Sequence, residues 1–393
     1  MLFIKNAKLL TMSGINYDKG YVAIDEGKIT ALGSDAAEAQ SLERECRGEV
    51  IDAEGCYVLP GFIDAHCHIG MWEDSVGFEG DDGNEMTDPV TPQLRAIDAI
   101  YHADRSFEEA REAGITTVVT GPGSANVIGG QFAALKTYGR SVDDMLLKSP
   151  VAMKVAFGEN PKTVYHEKRQ SPTTRMATAA ILRESLMKAR EYKQMLDDYE
   201  RDSENNDKPD YDIKLDALMK VLNGELMVKA HAHRADDILT ALRIAKEFGL
   251  KMTIEHCTEG HLIADILKEE NVSVISGPFL TDRSKIELRN QSTKTPGILS
   301  KAGIKVAIMT DHPCTPVQYL PLCAAVAVKE GMDEKEALKA ITINAAEITG
   351  IDDRVGSLDV GKDADIIIMD GAPLELKSKV LYAIINGQVV KRV

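Results

Sequence analysis

Two imidazoles one residue apart close the apolar run Val58-Leu59-Pro60-Gly61-Phe62-Ile63-Asp64-Ala65-His66-Cys67-His68. On a β-strand, residues i and i+2 share a face, so His66 and His68 can reach one ion together. A His-x-His pair alone is more often structural, so the pattern means chemistry only if other ligands join it. They do recur: later apolar runs end in His231, in Glu255-His256 and in Thr310-Asp311. Neutral imidazoles and carboxylates suit a divalent ion, zinc first, with manganese, iron or cobalt compatible by ligand type. An ion with an open coordination position lowers the pKa of its water toward ~7, and a neighbouring carboxylate can then take the proton.

Such ligands meet only if the strands that carry them lie side by side, with their ends at one rim of a closed barrel. The middle of the chain has that texture. A helix ending near Ala113 and stopped by Gly114 precedes the strand 115–120, the strand 151–157 follows, and an amphipathic helix 236–247 closed by Gly249 leads to the strand ending at His256. Counting the weak candidate 133–136 gives eight strands. One segment exceeds a minimal barrel: a charged helical stretch 173–201, a polar linker 202–210 and a second helix to Leu222, an insertion at about 166–223 that reads either as a lid or as an oligomer contact and solvated surface.

Both ends of the chain are β-rich. Asp25-Glu26-Gly27 and Asn386-Gly387 are hairpin turns, the latter of type I′. Neither end has enough apolar residues to close a sandwich alone. The expected fold is therefore α/β: a (β/α)8 TIM-type barrel over 58–352, with a small discontinuous β-sandwich domain from 1–57 and 353–393.

A chain of 393 residues with 44% apolar content can fill such a core, and a formal net charge of -16 argues against nucleic-acid or anionic-membrane partners. The six cysteines form no CxxC pair, the start lacks a signal peptide, and no run is long enough to span a membrane. A cytoplasmic homo-oligomer acting on a small-molecule substrate is expected.

Taken together, the run through His66 and His68, the His231 and His256 strand ends, Thr310-Asp311-His312-Pro313 and the closing Gly356-Ser357-Leu358-Asp359-Val360-Gly361-Lys362-Asp363-Ala364-Asp365 resemble the amidohydrolase superfamily, and within it the imidazolonepropionase-like metal-dependent hydrolases. The resemblance implies that His66, His68, His231 and His256 bind metal and that Asp311 is both ligand and general base. His233 would then contact substrate or support the ligands, its alternative being to replace His231 as the ligand. The fourth strand decides between one ion and two: Lys154, as a carbamate bridging two metals, or Glu159, just past the strand, in a mononuclear site. Burying an unpaired ammonium is costly, and Lys154 stands at the level of the histidines, so Lys154 is the expected ligand.

Asn126 in the glycine-rich stretch 121–131, His261 and Arg283 are the expected rim contacts to substrate, with Lys285 beside them. The implied reaction is hydrolysis of a C–N bond, cyclic amide or peptide-like, by metal-activated water. Two alternatives remain. The resemblance disfavours deamination on the same scaffold, since the superfamily's deaminase branch usually has a glutamate shortly after the fifth-strand histidine and here Arg234 follows His233; a non-catalytic assembly protein is disfavoured because every ligand position is filled.

Overall fold

The computed structural model describes residues 1–73 and 77–393. Its strands run, in chain order, β1 Leu2–Leu9, β2 Tyr17–Asp25, β3 Lys28–Gly33, β4 Glu49–Asp52, β5 Tyr57–Pro60, β6 Phe62–Cys67, β7 Ile115–Thr120, β8 Ile128–Lys136, β9 Leu146–Ala156, β10 Met227–Ala232, β11 Met252–His256, β12 Ser273–Ser276, β13 Val306–Ile308, β14 Ile366–Met369, β15 Val380–Ile385 and β16 Gln388–Arg392. Two eight-stranded sheets result. One, β6 to β13 in sequence order, is the barrel wall, and the other is built from both ends of the chain in the order β16-β15-β14-β5-β1-β2-β3, with β4 on β1.

The apolar run ahead of His66 proves to be two strands. β5 pairs with β14 and β1 in the terminal sheet, whereas β6 pairs with β7 in the barrel. Gly61 is the joint between them, and a Cβ there would lie 2.1 Å from Thr116 Oγ1, so no other residue fits without displacement. The barrel closes at the ends of β6 and β13: the Asp311 amide donates to His66 O (3.2 Å) and the His68 amide to His312 O (2.9 Å).

A uniform (β/α)8 alternation is corrected at one place. β8 is antiparallel to both β7 and β9, while the other barrel pairs are parallel. The stretch between Thr120 and Ile128 is too short for the dozen or so residues of a helical crossover, so the chain turns back as a hairpin. Gly129, Gly130 and Gln131, expected in a rim loop, are consequently buried strand residues.

The long insertion is helical, as expected, over Arg175–Arg201 and Ile213–Leu222. It is not a lid. Ala179, Leu182, Leu186 and Ala189 pack into one core cluster with Val155, Phe157, Val228 and Ala230, against the outside of the barrel wall. Arg175 and Arg183 pair with Asp237 and Glu247 of the helix Ala235–Phe248, at 2.9 and 2.7 Å. Among the described residues, no helix is long and apolar enough to cross a membrane.

Candidate metal centre

Four barrel strand ends deliver the titratable side chains to one place. His66 and His68 leave β6, His231 and His233 leave β10, His256 closes β11 and Asp311 follows β13. All six are buried. His66, His68 and Asp311 form one group whose ligand atoms lie within 4.8 Å of one another, and His231, His233 and His256 form a second. The groups adjoin: the His66 and His256 rings are 5.7 Å apart, and the His231 and His256 rings 4.4 Å.

The hydrogen bonds show which nitrogen each imidazole offers. Nδ1 of His66 faces Glu255 Oε2 (2.5 Å), Nδ1 of His68 faces Gly121 O (2.7 Å) and Nδ1 of His256 faces Gly277 O (3.0 Å). A ring that donates from Nδ1 to such an acceptor presents the lone pair of Nε2, which is how a protein orients a metal-binding histidine. Nε2 of His68 and His66 lie 3.2 and 3.7 Å from Asp311 Oδ1. Among the described residues, neither nitrogen of buried His231 has a hydrogen-bond partner, a costly arrangement that an ion would relieve. Nδ1 of His233 is taken by Thr258 Oγ1 at 2.7 Å.

The electrostatics favour the ligand forms. Burial holds His66, His231 and His233 well below the ordinary imidazole range, and brings His256 down to about 4 against the opposing pull of Asp311. Burial would raise the Asp311 carboxyl, but His256, His68 and Lys154 around it outweigh that and keep it well below the usual carboxylate range. These residues therefore fit a divalent ion: neutral imidazoles, an ionised carboxylate and an orphaned buried ring.

Two lysines lie beneath this group, Lys154 on β9 and Lys229 opposite it on β10. Both are fully buried. Lys229 is paired, with Nζ 2.9 Å from Glu255 Oε2 and 3.1 Å from Ala65 O. Lys154 has no carboxylate within ion-pair distance among the described residues; its Nζ is 3.0 Å from His66 Nε2, and burial brings its pKa down to about 8. Glu159 opens the helix Glu159–Glu167 and lines the cavity above the histidines, where its buried Oε2 has no hydrogen-bond partner among the described residues.

Lys229 and Asp64 do not stand out in the sequence as site residues, and Glu255 enters it only as the neighbour of His256. Glu255 joins His66, Lys229 and Thr253, the last at 2.5 Å, in one buried network. Asp64, pushed up to about 7 by burial, receives the Thr310 amide at 3.2 Å and so fixes the backbone just ahead of Asp311. The available signal is a charged residue within an apolar strand, and Lys229 in Met227–Ala232 carries it as plainly as Lys154 does.

A cavity of about 700 Å³ opens over the histidines. His233 lines it, as expected of a substrate contact. The structure moves three other expected contacts elsewhere. Asn126 is spent internally, donating to Glu85 O and Thr91 Oγ1 and accepting from Tyr165. His261 is held by Thr258 O and Thr295 Oγ1, and Arg283 is exposed and donates to Gln291 O at 3.1 Å. The cavity wall is instead formed by residues such as Trp72, Asn84, Ser124, Asn160 and Lys285.

Comparison with known proteins agrees with this geometry. An amidohydrolase from Thermotoga maritima MSB8 superposes over the whole of both chains, with a TM-score of 0.94 and 39% identity. The protein named amidohydrolase tasK of Hapsidospora irregularis is 27% identical over 94% of this chain, which spans only 39% of that protein's length. An imidazolonepropionase of Fusobacterium nucleatum is 25% identical, over 90% of this chain and 85% of its own. A Xaa-Pro dipeptidase, at 18% identity and a TM-score of 0.59, shares the fold. Residues 57–391, which include both histidine groups and Asp311, match the amidohydrolase family, and the chain belongs to that family.

Proposed function

We propose that this chain is a metal-dependent hydrolase that opens the C–N bond of an amide, cyclic or peptide-like. The observation that carries the reading is the convergence of two ligand groups, with Asp311 in one of them, at the floor of a single cavity of about 700 Å³. His66, His68, His231, His256 and Asp311 would hold the metal, zinc first among the candidates, with Lys154 joining them as a carbamate. The bound ion would supply an acidified water and polarise the amide carbonyl.

The chain's own groups do the rest. Asp311 Oδ1, 3.2 Å from His68 Nε2, accepts the proton released by the attacking water and returns it to the leaving nitrogen. His233, fixed by Thr258, holds the substrate at the cavity floor. Lys154 is favoured over Glu159 because its Nζ touches His66 Nε2, and because an amine with its pKa lowered to about 8 is more often neutral, the form that adds to carbon dioxide. Relatives named amidohydrolase and imidazolonepropionase support C–N hydrolysis. Deamination is disfavoured because Arg234 is turned onto Asp236, at 2.9 and 2.8 Å, away from the histidines.

The test combines elemental analysis with a hydrolysis screen of cyclic amides, N-acyl amino acids and dipeptides. The protein as purified is expected to carry close to two ions per chain if Lys154 is carboxylated and close to one if Glu159 is the ligand. Removing them with a chelator should abolish turnover, and metal-free protein that still hydrolyses would sink the reading.

A further inference from the structure

Among the described residues that line the cavity over the histidines, Lys285 alone carries a lysine or arginine cation. It is half-buried, and among the described residues no carboxylate lies within ion-pair distance of its ammonium. Its partner is neutral: Lys285 Nζ donates to Asn160 Oδ1 at 2.5 Å, and Asn160 Nδ2 donates in turn to Ser124 Oγ at 2.8 Å. This chain joins three separate segments, the one after β7, the start of the helix Glu159–Glu167 and the one after β12. It also fixes polarity. The Ser124 oxygen already accepts, so its hydroxyl proton is available to donate, and the ammonium keeps two of its three donors. Two donor groups with a net positive charge thus line a cavity whose other titratable lining includes the carboxylates Glu159 and Asp311. Lys285 lines the same cavity as His231, His233 and His256, which places it beside the proposed reaction centre. Trp72, Met86, Val164 and Leu288 supply apolar lining to the same cavity.

We propose that Lys285 and Ser124, oriented by Asn160, are an anion anchor, and that the substrate is an amide carrying a carboxylate: its anionic end on Lys285, its apolar part along Trp72 and Leu288, its scissile bond at the histidines. This deepens the hydrolase reading and rests on it only for what happens to the anchored molecule. An unpaired cation beside an anionic protein's active site selects by charge, and a carboxamide in place of the carboxylate loses that interaction.

The test uses the full-length, metal-loaded protein and a matched pair of ligands, N-acetyl-L-leucine and N-acetyl-L-leucinamide. Trp72 is the chain's one tryptophan and lines the cavity, so its fluorescence reports binding whether or not turnover follows. Wild type should bind the carboxylate at least tenfold more tightly than the carboxamide. Lys285→Met should remove that preference and leave the carboxamide unchanged, and Lys285→Arg should restore much of it. Asn160→Asp is a second variant that keeps the side-chain size but pairs the ammonium internally, and it should weaken the carboxylate in the same way. The proposal is overturned if wild type binds the two equally or fails to bind the carboxylate at millimolar concentration. It is overturned too if the preference survives both Lys285→Met and Asn160→Asp, since the carboxylate would then be held by the metal alone. A preference that depends on Lys285, with no hydrolysis of any amide, would leave the anchor standing and remove the hydrolase reading.

Discussion

Asp311 and His256 both have positive φ, +54° and +67°, at the points where their strands end. For residues other than glycine that conformation is uncommon, and at a site it marks a backbone held off the strand line to aim a side chain. The hydroxyl and amide of Thr310, gripped by Asp64, hold Asp311 in that posture. Asp311→Asn keeps shape and hydrogen bonding but cannot take a proton from water at neutral pH, so kcat should fall by at least ~10²-fold while metal content changes little. Loss of metal along with activity, with turnover restored by excess metal, would instead make Asp311 a ligand only. Glu255 offers a test of orientation rather than chemistry. Glu255→Gln leaves Lys229 buried without its counter-ion and His66 without its anionic acceptor. Metal affinity should drop ~10–100-fold, by chelator competition, and unfolding should become easier by roughly 3–5 kcal/mol. A variant with unchanged metal affinity would show that His66 does not need Glu255.

At the scale of elements, the histidines are legible in the sequence because each closes an apolar run, and a two-residue period places His66 with His68 and His231 with His233 on common faces. The Asp25-Glu26-Gly27 and Asn386-Gly387 hairpins are legible for a different reason. Glu26, Gly27, Asn386 and Gly387 all have positive φ, the conformation that Gly27 and the Asn-Gly pair announce by residue type. Of β8 only the weak candidate 133–136 is legible, because burial on both faces removes the alternation that marks a strand, and Gly129-Gly130 imitates a loop. The division between β5 and β6 is hidden in the same way: one continuous apolar run serves two sheets, and only the close approach of Thr116 to Gly61 marks the joint. Gly61→Ala should therefore be felt in both sheets, lowering stability by roughly 1–3 kcal/mol through overpacking. A melting temperature equal to wild type would show that the joint has slack.

Across the whole molecule, the terminal sheet and the barrel are clamped by ions as well as by apolar contact. Asp363, just before β14, sits at 2.5 Å from Lys28 of β3, at 3.0 Å from Lys136 of β8 and at 2.7 Å from Arg354. Lys136 also pairs with Asp365 at 2.5 Å. Burial alone would raise the Asp363 carboxyl, but Arg354, Lys136 and Lys28 more than offset it and bring its pKa to about 2. A pKa lower in the folded than in the unfolded chain, where it is ~3.9, contributes stability that is full above the unfolded value and is lost as pH falls toward the folded one. Wild type should thus lose more stability between pH 5 and pH 2.5 than Asp363→Asn does, and equal losses would remove Asp363 as the acid-sensitive group. The same clamp bears on the ends of the chain. Deleting the residues after Gly356 removes β14 from the edge of β5 and takes both aspartates from Lys136, leaving a buried ammonium uncompensated. The N-terminal strands β1 to β5 should then lose amide-exchange protection along with the deleted segment, and the truncated protein should melt well below the full chain. If it melts with the full chain and β1 stays protected, the two ends do not form one cooperative unit, and the sheet they share is held by its N-terminal half alone.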